Sequence, residues 1–303
     1  MQSLVFVCAS PGSDPEVLIM AESIRRFAGS LSECPVWMVI PESIQKIPEK
    51  IENQLRSLDV QIVPFQAGPA VNEFPFARWV HAAGAAESLA KGKTELLAWI
   101  DINTIIIRKP RQFLLDKGKN LGYRPVHHTL IGSIYETPID SFWNLIYQKC
   151  GVTEDRIFPM KTHVDCNILR PYFNAGFLIV RPERGLLQSW WETFKELYRD
   201  PDFKEFYQKD DLYTIFIHQA VLTGVILSRM ERKELQELPF SYNYPLHLYE
   251  ESPPEYQPEN INDLVTARFY LDKLLKPGSL DRIPIHDPLK SWLAGKLEVI
   301  INL

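Results

Sequence analysis

The feature that most constrains this chain is an alternation in its first hundred residues. Four short apolar runs, LVFVCA (4–9), PVWMVI (35–40), VQIVPF (60–65) and ELLAWID (95–101), are separated by segments whose apolar residues recur at helical spacing. Parallel strands need crossover connections, and helices supply them while covering both sheet faces. Strand four is apolar without a break, as expected of a strand buried on both sides. The pattern predicts an α/β fold with a central, mostly parallel sheet flanked by helices.

In the first unit, SPGSDPE (10–16) joins turn residues to a helix start. Asp14 is expected to cap the helix through its carboxylate and Pro15 to take the first helical position. Val17, Leu18, Ala21, Ile24, Phe27 and Ala28 form the apolar stripe, which ends at Gly29. Residues 42–58 read as a helical segment interrupted by proline, and a further helix is expected from about Phe76 to Ala90. Beyond Pro110 the pattern predicts a short helix near 111–116, a strand at LGYRPV and a helix at SFWNLIYQKC. A polar loop over 151–170 and a strand at YFNAGFLIV follow, then helices over ERGLLQSWWETFKELYRD and LYTIFIHQAVLTG. The last third is rich in Pro, Tyr and Asn and reads as irregular structure packed on the sheet. At 303 residues the chain suits one domain, with a first half over 1–110 and a second over 111–303.

Composition excludes several classes. A net charge of −5 with scattered basic residues gives no footprint for nucleic acid. Cys8, Cys34, Cys150 and Cys166 contain no C-x-x-C pair and are expected as reduced thiols. No run of 18 apolar residues and no positively charged leader is present, so a cytoplasmic location is the expectation, with peripheral membrane contact compatible. The glycine-rich dinucleotide and P-loop signatures, the G-x-S-x-G elbow and H-E-x-x-H are all missing.

The remaining candidates stand on their chemistry. Asp101 ends the fourth strand, and open α/β sheets bind ligands outside the carboxyl ends of their strands. Asp101 and Asn103 are two residues apart; in extended backbone both would point to one side and could share a hard cation. The alternative is a capped strand end followed by a turn. Asn174-Ala175-Gly176 interrupts a strand, marking either a close ligand approach or a bulge. His286, Lys290 and Trp292 share the Pro-punctuated IPIHDPLKSW, where His could ligate a metal and Lys meet a phosphate. Arg78 lies near a helix start within reach of a diphosphate at the strand ends. His218-Gln219 is a polar pair in an apolar helix, either a satisfied core contact or part of a pocket. His127, His128, His163, Asp165 and Cys166 together imitate a zinc site, although their spacing fits no closed tetrahedral pattern.

In this order, FARW…LLAWIDINTIIIRKP, YFNAGFLIVRP, IHQAVLTG, LPFSYNYP and IHDPLKSW resemble the GT-A glycosyltransferases. They are most similar to glycosyltransferase family eight, the glycogenin and lipooligosaccharide galactosyltransferase group. The resemblance runs from the first strand to Trp292. It implies a GT-A fold, with a nucleotide-binding half and an acceptor half, that transfers a sugar from a nucleotide-diphosphate sugar, UDP-sugar favoured, to an unknown acceptor with retention. It also implies a divalent cation, Mn2+ or Mg2+, on Asp101, Asn103 and His286. Arg78 and Lys290 would meet the donor phosphates, Asn174 and Ala175 the sugar, Gln219 the reacting face, and Ala9 and Ser10 the base and ribose.

The chain departs from the pattern at three places. Asn103 stands for the second aspartate, removing a charge on which cation affinity depends. His218 stands where the family often has aspartate, and Ser291 where it has proline. Two alternatives follow: a non-catalytic relative that binds a sugar nucleotide or a protein, and a nucleotidyltransferase. The two acids in SPGSDPE, which would repel a triphosphate, disfavour the latter.

Overall fold

A computed structural model describes residues 2–10, 14–43, 47–68, 71 and 74–301. The first half contains β1 (Leu4–Ala9), α1 (Glu16–Phe27), β2 (Val36–Pro41), α2 (Glu49–Ser57), β3 (Val60–Phe65), α3 (Ala77–Ala90), β4 (Leu96–Ile100) and β5 (Thr104–Ile106). Next come β6 (Leu121–Pro125), α4 (Ser141–Cys150), β7 (Met160–Lys161), β8 (Ile168–Leu169), β9 (Phe173–Val180), α5 (Leu186–Leu197), α6 (Lys204–Lys209) and α7 (Asp211–Arg229). The remainder holds β10 (Leu235–Glu237), β11 (Tyr244–Pro245), β12 (Thr266–Arg268), α8 (Leu271–Leu274) and α9 (Leu289–Ile301).

Among the described residues the main sheet has the order β10-β6-β9-β4-β1-β2-β3. Its pairings are parallel except at β9, which runs antiparallel to both β4 and β6. The predicted mostly parallel sheet with flanking helices is therefore present. The chain moves outward from β1 to β2 and β3 and returns to the other side of β1 as β4. Ligands bind in α/β sheets at such a reversal, which here brings the ends of β1 and β4 side by side.

Strand alternation divides the core between the two faces. Val5, Val7, Leu97 and Trp99 face α3, α5 and α7, whereas Phe6, Cys8, Ala98 and Ile100 face α1 and α2. A third cluster joins Ile19 of α1 to Ile105, Ala267, Phe269 and Trp292, so the irregular C-terminal segment packs on the outside of α1. Trp292 Nε1 donates to Glu22 at 2.9 Å and its ring meets Phe27 edge-on.

Several local expectations are corrected. Asp14 does not cap α1 with its side chain: Pro15 occupies the cap, the helix begins at Glu16, and the Asp14 carboxylate accepts from Ser10 Oγ at 3.1 Å. Pro48 precedes α2 instead of interrupting it, as its missing N–H and fixed φ favour at a helix start. The earlier part of that segment, 44–46, lies outside the described residues. The short helix expected at 111–116 is a single 3-10 turn at Arg111–Phe113. α4 does begin at Ser141, capped by Asp140, whose carboxylate accepts from Trp143 N at 2.9 Å. The four cysteines are free thiols. By length and composition α7, at 19 residues, could cross a membrane, but Ile217 to Leu227 are buried in the core.

Candidate active site

Three structural features meet around the sheet reversal. The first is a cavity of about 290 Å³ at the carboxyl ends of β1, β2 and β3. Ala9 and Ser10 come from β1 and its end, Val39 and Pro41 from β2, Phe65 from β3, and Phe76, Arg78 and Trp79 from the start of α3. Among the described lining residues Arg78 is the one charged group. An apolar, aromatic hollow with one cation at its rim suits a flat heterocycle joined to an anion. Phe76, at φ +61°, stacks on His218 with ring centroids 4.3 Å apart and 14° between planes. Burial pushes the His218 pKa down to about 4, so its ring is a neutral plate. His218 thus acts as packing behind the cavity, where a carboxylate would bring charge.

The second feature is the turn after β4. The apolar run LLAWIDINTIII is two strands in two different sheets, with Asp101 where the chain leaves one for the other. Thr104 N donates to Asp101 O at 3.0 Å, closing a turn over 101–104. Asp101 and Asn103 are therefore not alternate residues of one extended strand, and the same-side argument for a shared cation does not apply. β5 then pairs antiparallel with β12, setting Arg268 opposite Thr104. That register brings Arg268 Nη2 to 2.7 Å from Asp101 Oδ2, in an ion pair whose side chains are 22% and 16% exposed. Burial raises the Asp101 pKa, and the guanidinium opposes that rise.

The third feature is Asn174-Ala175-Gly176. Leu178 pairs with Tyr123 and Phe173 with Pro125, so β9 advances five residues while β6 advances two. This is a bulge, and the inward face changes parity across it. Asn174 Oδ1 accepts from Gly176 N at 3.1 Å, and Ala175 N donates to Gln219 Oε1 at 2.9 Å. Gly176 O accepts from Asp101 N at 3.0 Å, and a Cβ on Gly176 would stand 2.3 Å from Asp101 Oδ2. Only glycine leaves room for that carboxylate. The bulge and the ligand-approach readings of this motif thus coincide.

The structure links Asp101, Asn174, Ala175 and Gln219 through these contacts, and it gathers Ala9, Ser10 and Arg78 around the cavity. His286 and Lys290 are held elsewhere. His286 exchanges two backbone hydrogen bonds with the Asn262 amide, and Lys290 pairs with Asp281 at 2.8 Å. Among the described residues no hydrogen bond or ion pair joins either one to Asp101, Asn103 or Arg268.

A divalent cation on Asp101, Asn103 and His286 does not fit this arrangement. The single carboxylate of the three is already paired with a guanidinium; Asn103 contributes a neutral oxygen, buried and without a hydrogen-bond partner among the described residues; and Asn262 holds the backbone of His286, not its ring. Among the described residues no three His, Cys, Asp or Glu side chains converge as a metal centre. The zinc imitation dissolves as well. Asp165 accepts from Thr129 N at 2.7 Å and from Thr162 Oγ1, and among the described residues it does not converge with His127, His128, His163 or Cys166 as a three-ligand group.

A family model described as the Rhodobacterales glycosyltransferase domain matches residues 4–228. The chain belongs to this glycosyltransferase family. The matched span carries Asp101, Asn174 and Gln219 and ends before Arg268, His286 and Lys290. No curated protein matches the chain. Solved structures similar to it include three glycosyltransferases. The galactosyltransferase LgtC in complex with donor and acceptor sugar analogues is 14% identical, with a TM-score of 0.48, and the alignment covers 88% of this chain and 86% of that one. Mouse xyloside xylosyltransferase 1 in its apo form is 11% identical, with a TM-score of 0.48 and coverage of 89% and 98%. The glycosyltransferase GlyE of Streptococcus pneumoniae is 14% identical, with a TM-score of 0.47 and coverage of 99% and 62%.

Sequence reasoning missed Arg268. In LVTARFYLDK it is one arginine among many, and its role depends on the pairing of β12 with β5, two segments more than 150 residues apart. No local signal identifies it.

Proposed function

We propose that this glycosyltransferase uses a nucleotide-diphosphate sugar, UDP-sugar favoured, and transfers the sugar with retention. The base and ribose occupy the cavity beside Ala9 and Ser10, and Arg78 meets the phosphates. The sugar lies over Asn174 and Ala175, with Gln219 behind the reacting face. In the reaction the bond between the anomeric carbon and the phosphate oxygen breaks with its electron pair on the diphosphate. The acceptor oxygen forms the new bond, and the acceptor's proton ends on the released diphosphate. The leaving group gains charge, which fixed cationic side chains stabilise.

The observation that carries this reading is the aromatic cavity with Arg78 at its rim, beside the β1 and β4 ends in a chain of a glycosyltransferase family. The test measures nucleotide release from a panel of UDP-, GDP-, ADP- and CDP-sugars. Release from one class is the expected result; release from none, without binding, would refute the proposal. Binding without turnover would favour a non-catalytic sugar-nucleotide protein, for which the replacement of a second acid by Asn103 is the supporting observation.

A further inference from the structure

We infer that Arg268 supplies the positive charge at the donor diphosphate, so that nucleoside diphosphate binds this protein without a metal ion. The inference rests on the nucleotide-sugar reading above and names a residue which that reading does not use.

The argument begins with the backbone. Arg268 is the last residue of β12, and its register opposite Thr104 is locked by two neighbours: Phe269 N donates to Asn103 O at 2.9 Å, and Ala267 pairs with Ile105. The guanidinium is thereby fixed over the β4 end, where ligands of α/β sheets sit. Gly176 lets it approach, since a Cβ there would stand 3.3 Å from Arg268 Nη1 as well as against the Asp101 carboxylate. Asp101 engages Nη2, and Arg268 Nε is buried with no hydrogen-bond partner among the described residues. A buried charged donor left unpaired is costly, and an anionic oxygen is the partner that a guanidinium fork accepts best.

The charge balance points the same way. A cation site at this turn needs Asp101 and its neighbours free to ligate; here the one carboxylate is neutralised and its neighbour Asn103 brings no charge. A dication at Asp101 would sit against the guanidinium, and like charges at that range repel. The surrounding histidines add no competing positive charge. Burial, together with the Arg268 charge, pushes His247 down to about 4 and His127 well below its ordinary range. An arginine stays protonated across the accessible pH range. The Asp101–Arg268 pair is neutral as a whole, and the guanidinium, held by its carboxylate, offers its remaining Nε–H donor to an anionic oxygen where a metal would otherwise stand.

The experiment is titration calorimetry of the full chain with UDP, GDP and ADP, each in EDTA and again with Mn2+, alongside the corresponding nucleosides. One diphosphate should bind equally well in both buffers. R268Q should weaken that diphosphate by about tenfold or more in EDTA while leaving the nucleoside unchanged. Circular dichroism of R268Q checks that it folds, and the EDTA comparison on the unaltered protein stands if it does not. Binding that disappears in EDTA and returns with Mn2+ overturns the inference but keeps the donor reading. An R268Q protein with undiminished diphosphate affinity also overturns it. Failure of every diphosphate in both buffers overturns the inference and the donor reading together.

Discussion

Replacing Gly176 with alanine tests the centre of this site with one methyl group. The new Cβ would lie 2.3 Å from Asp101 Oδ2, 2.8 Å from its Cγ and 3.3 Å from Arg268 Nη1. Contact at ordinary van der Waals distance requires the carboxylate to retreat by roughly 1 Å. Gly176 is not one of the glycines with positive φ, so alanine suits its backbone and the whole effect is steric. Overpacking of this kind costs roughly 1–3 kcal/mol of stability, which leaves a protein of this size folded. A displacement of 1 Å in a positioning group costs about 10²-fold in rate. Nucleotide release by G176A should therefore fall by about two orders of magnitude, with a lowered but cooperative melting transition. G295A is the control: its Cβ meets nothing within 4 Å among the described residues, and alanine favours helix α9, so activity should be unchanged. Full turnover by G176A would refute the placement of Asp101 at the reacting end of the site.

Three further outcomes follow from other parts of the molecule. Glu87 is buried in α3, where its Oε2 accepts from Gln188 N at 2.8 Å at the start of α5, and desolvation raises its pKa from 4.5 to about 7. The folded state thus holds a proton that the unfolded state releases, so stability should fall as pH rises from about 4.5 to 7. At 1.36 kcal/mol per unit the loss is roughly 3 kcal/mol. E87Q should flatten that slope in melting curves from pH 4 to 8, and an unchanged slope would assign it to other groups. Q219A removes the acceptor for the buried Ala175 N–H and should cost roughly 1–3 kcal/mol in denaturant unfolding; an unaltered midpoint would show that water replaces it. R78A should weaken nucleoside diphosphate by about tenfold and nucleoside hardly at all, and equal losses for both would place Arg78 against the base.

The alternating apolar runs made the sheet legible because a buried parallel strand must be continuously apolar and a covering helix must show its stripe. The placement of Asp101 was legible for a related reason: an acid at the end of such a run can meet a partner that offsets its desolvation, here Arg268, which an acid within the run could not. Asp14 was misjudged because an acid before a helix has two local acceptor roles, and Ser10, brought close by the end of β1, took the carboxylate. The same-side geometry of Asp101 and Asn103 failed because a turn and a strand are equally open to the triplet Asp-Ile-Asn; the transfer of the chain to a second sheet chose the turn.

By itself the sequence determined the strand and helix order, the small residues at Asn174-Ala175-Gly176 and the acid at the end of β4, because each is a local consequence of side-chain size, polarity and spacing. Only the tertiary structure decided that the carboxylate faces Arg268. That contact requires β9 to bulge, Gly176 to make room and β12 to pair with β5 in a single register. Those pairings join segments far apart in the chain, and their free energy lies in packing and backbone hydrogen bonds that no short stretch contains.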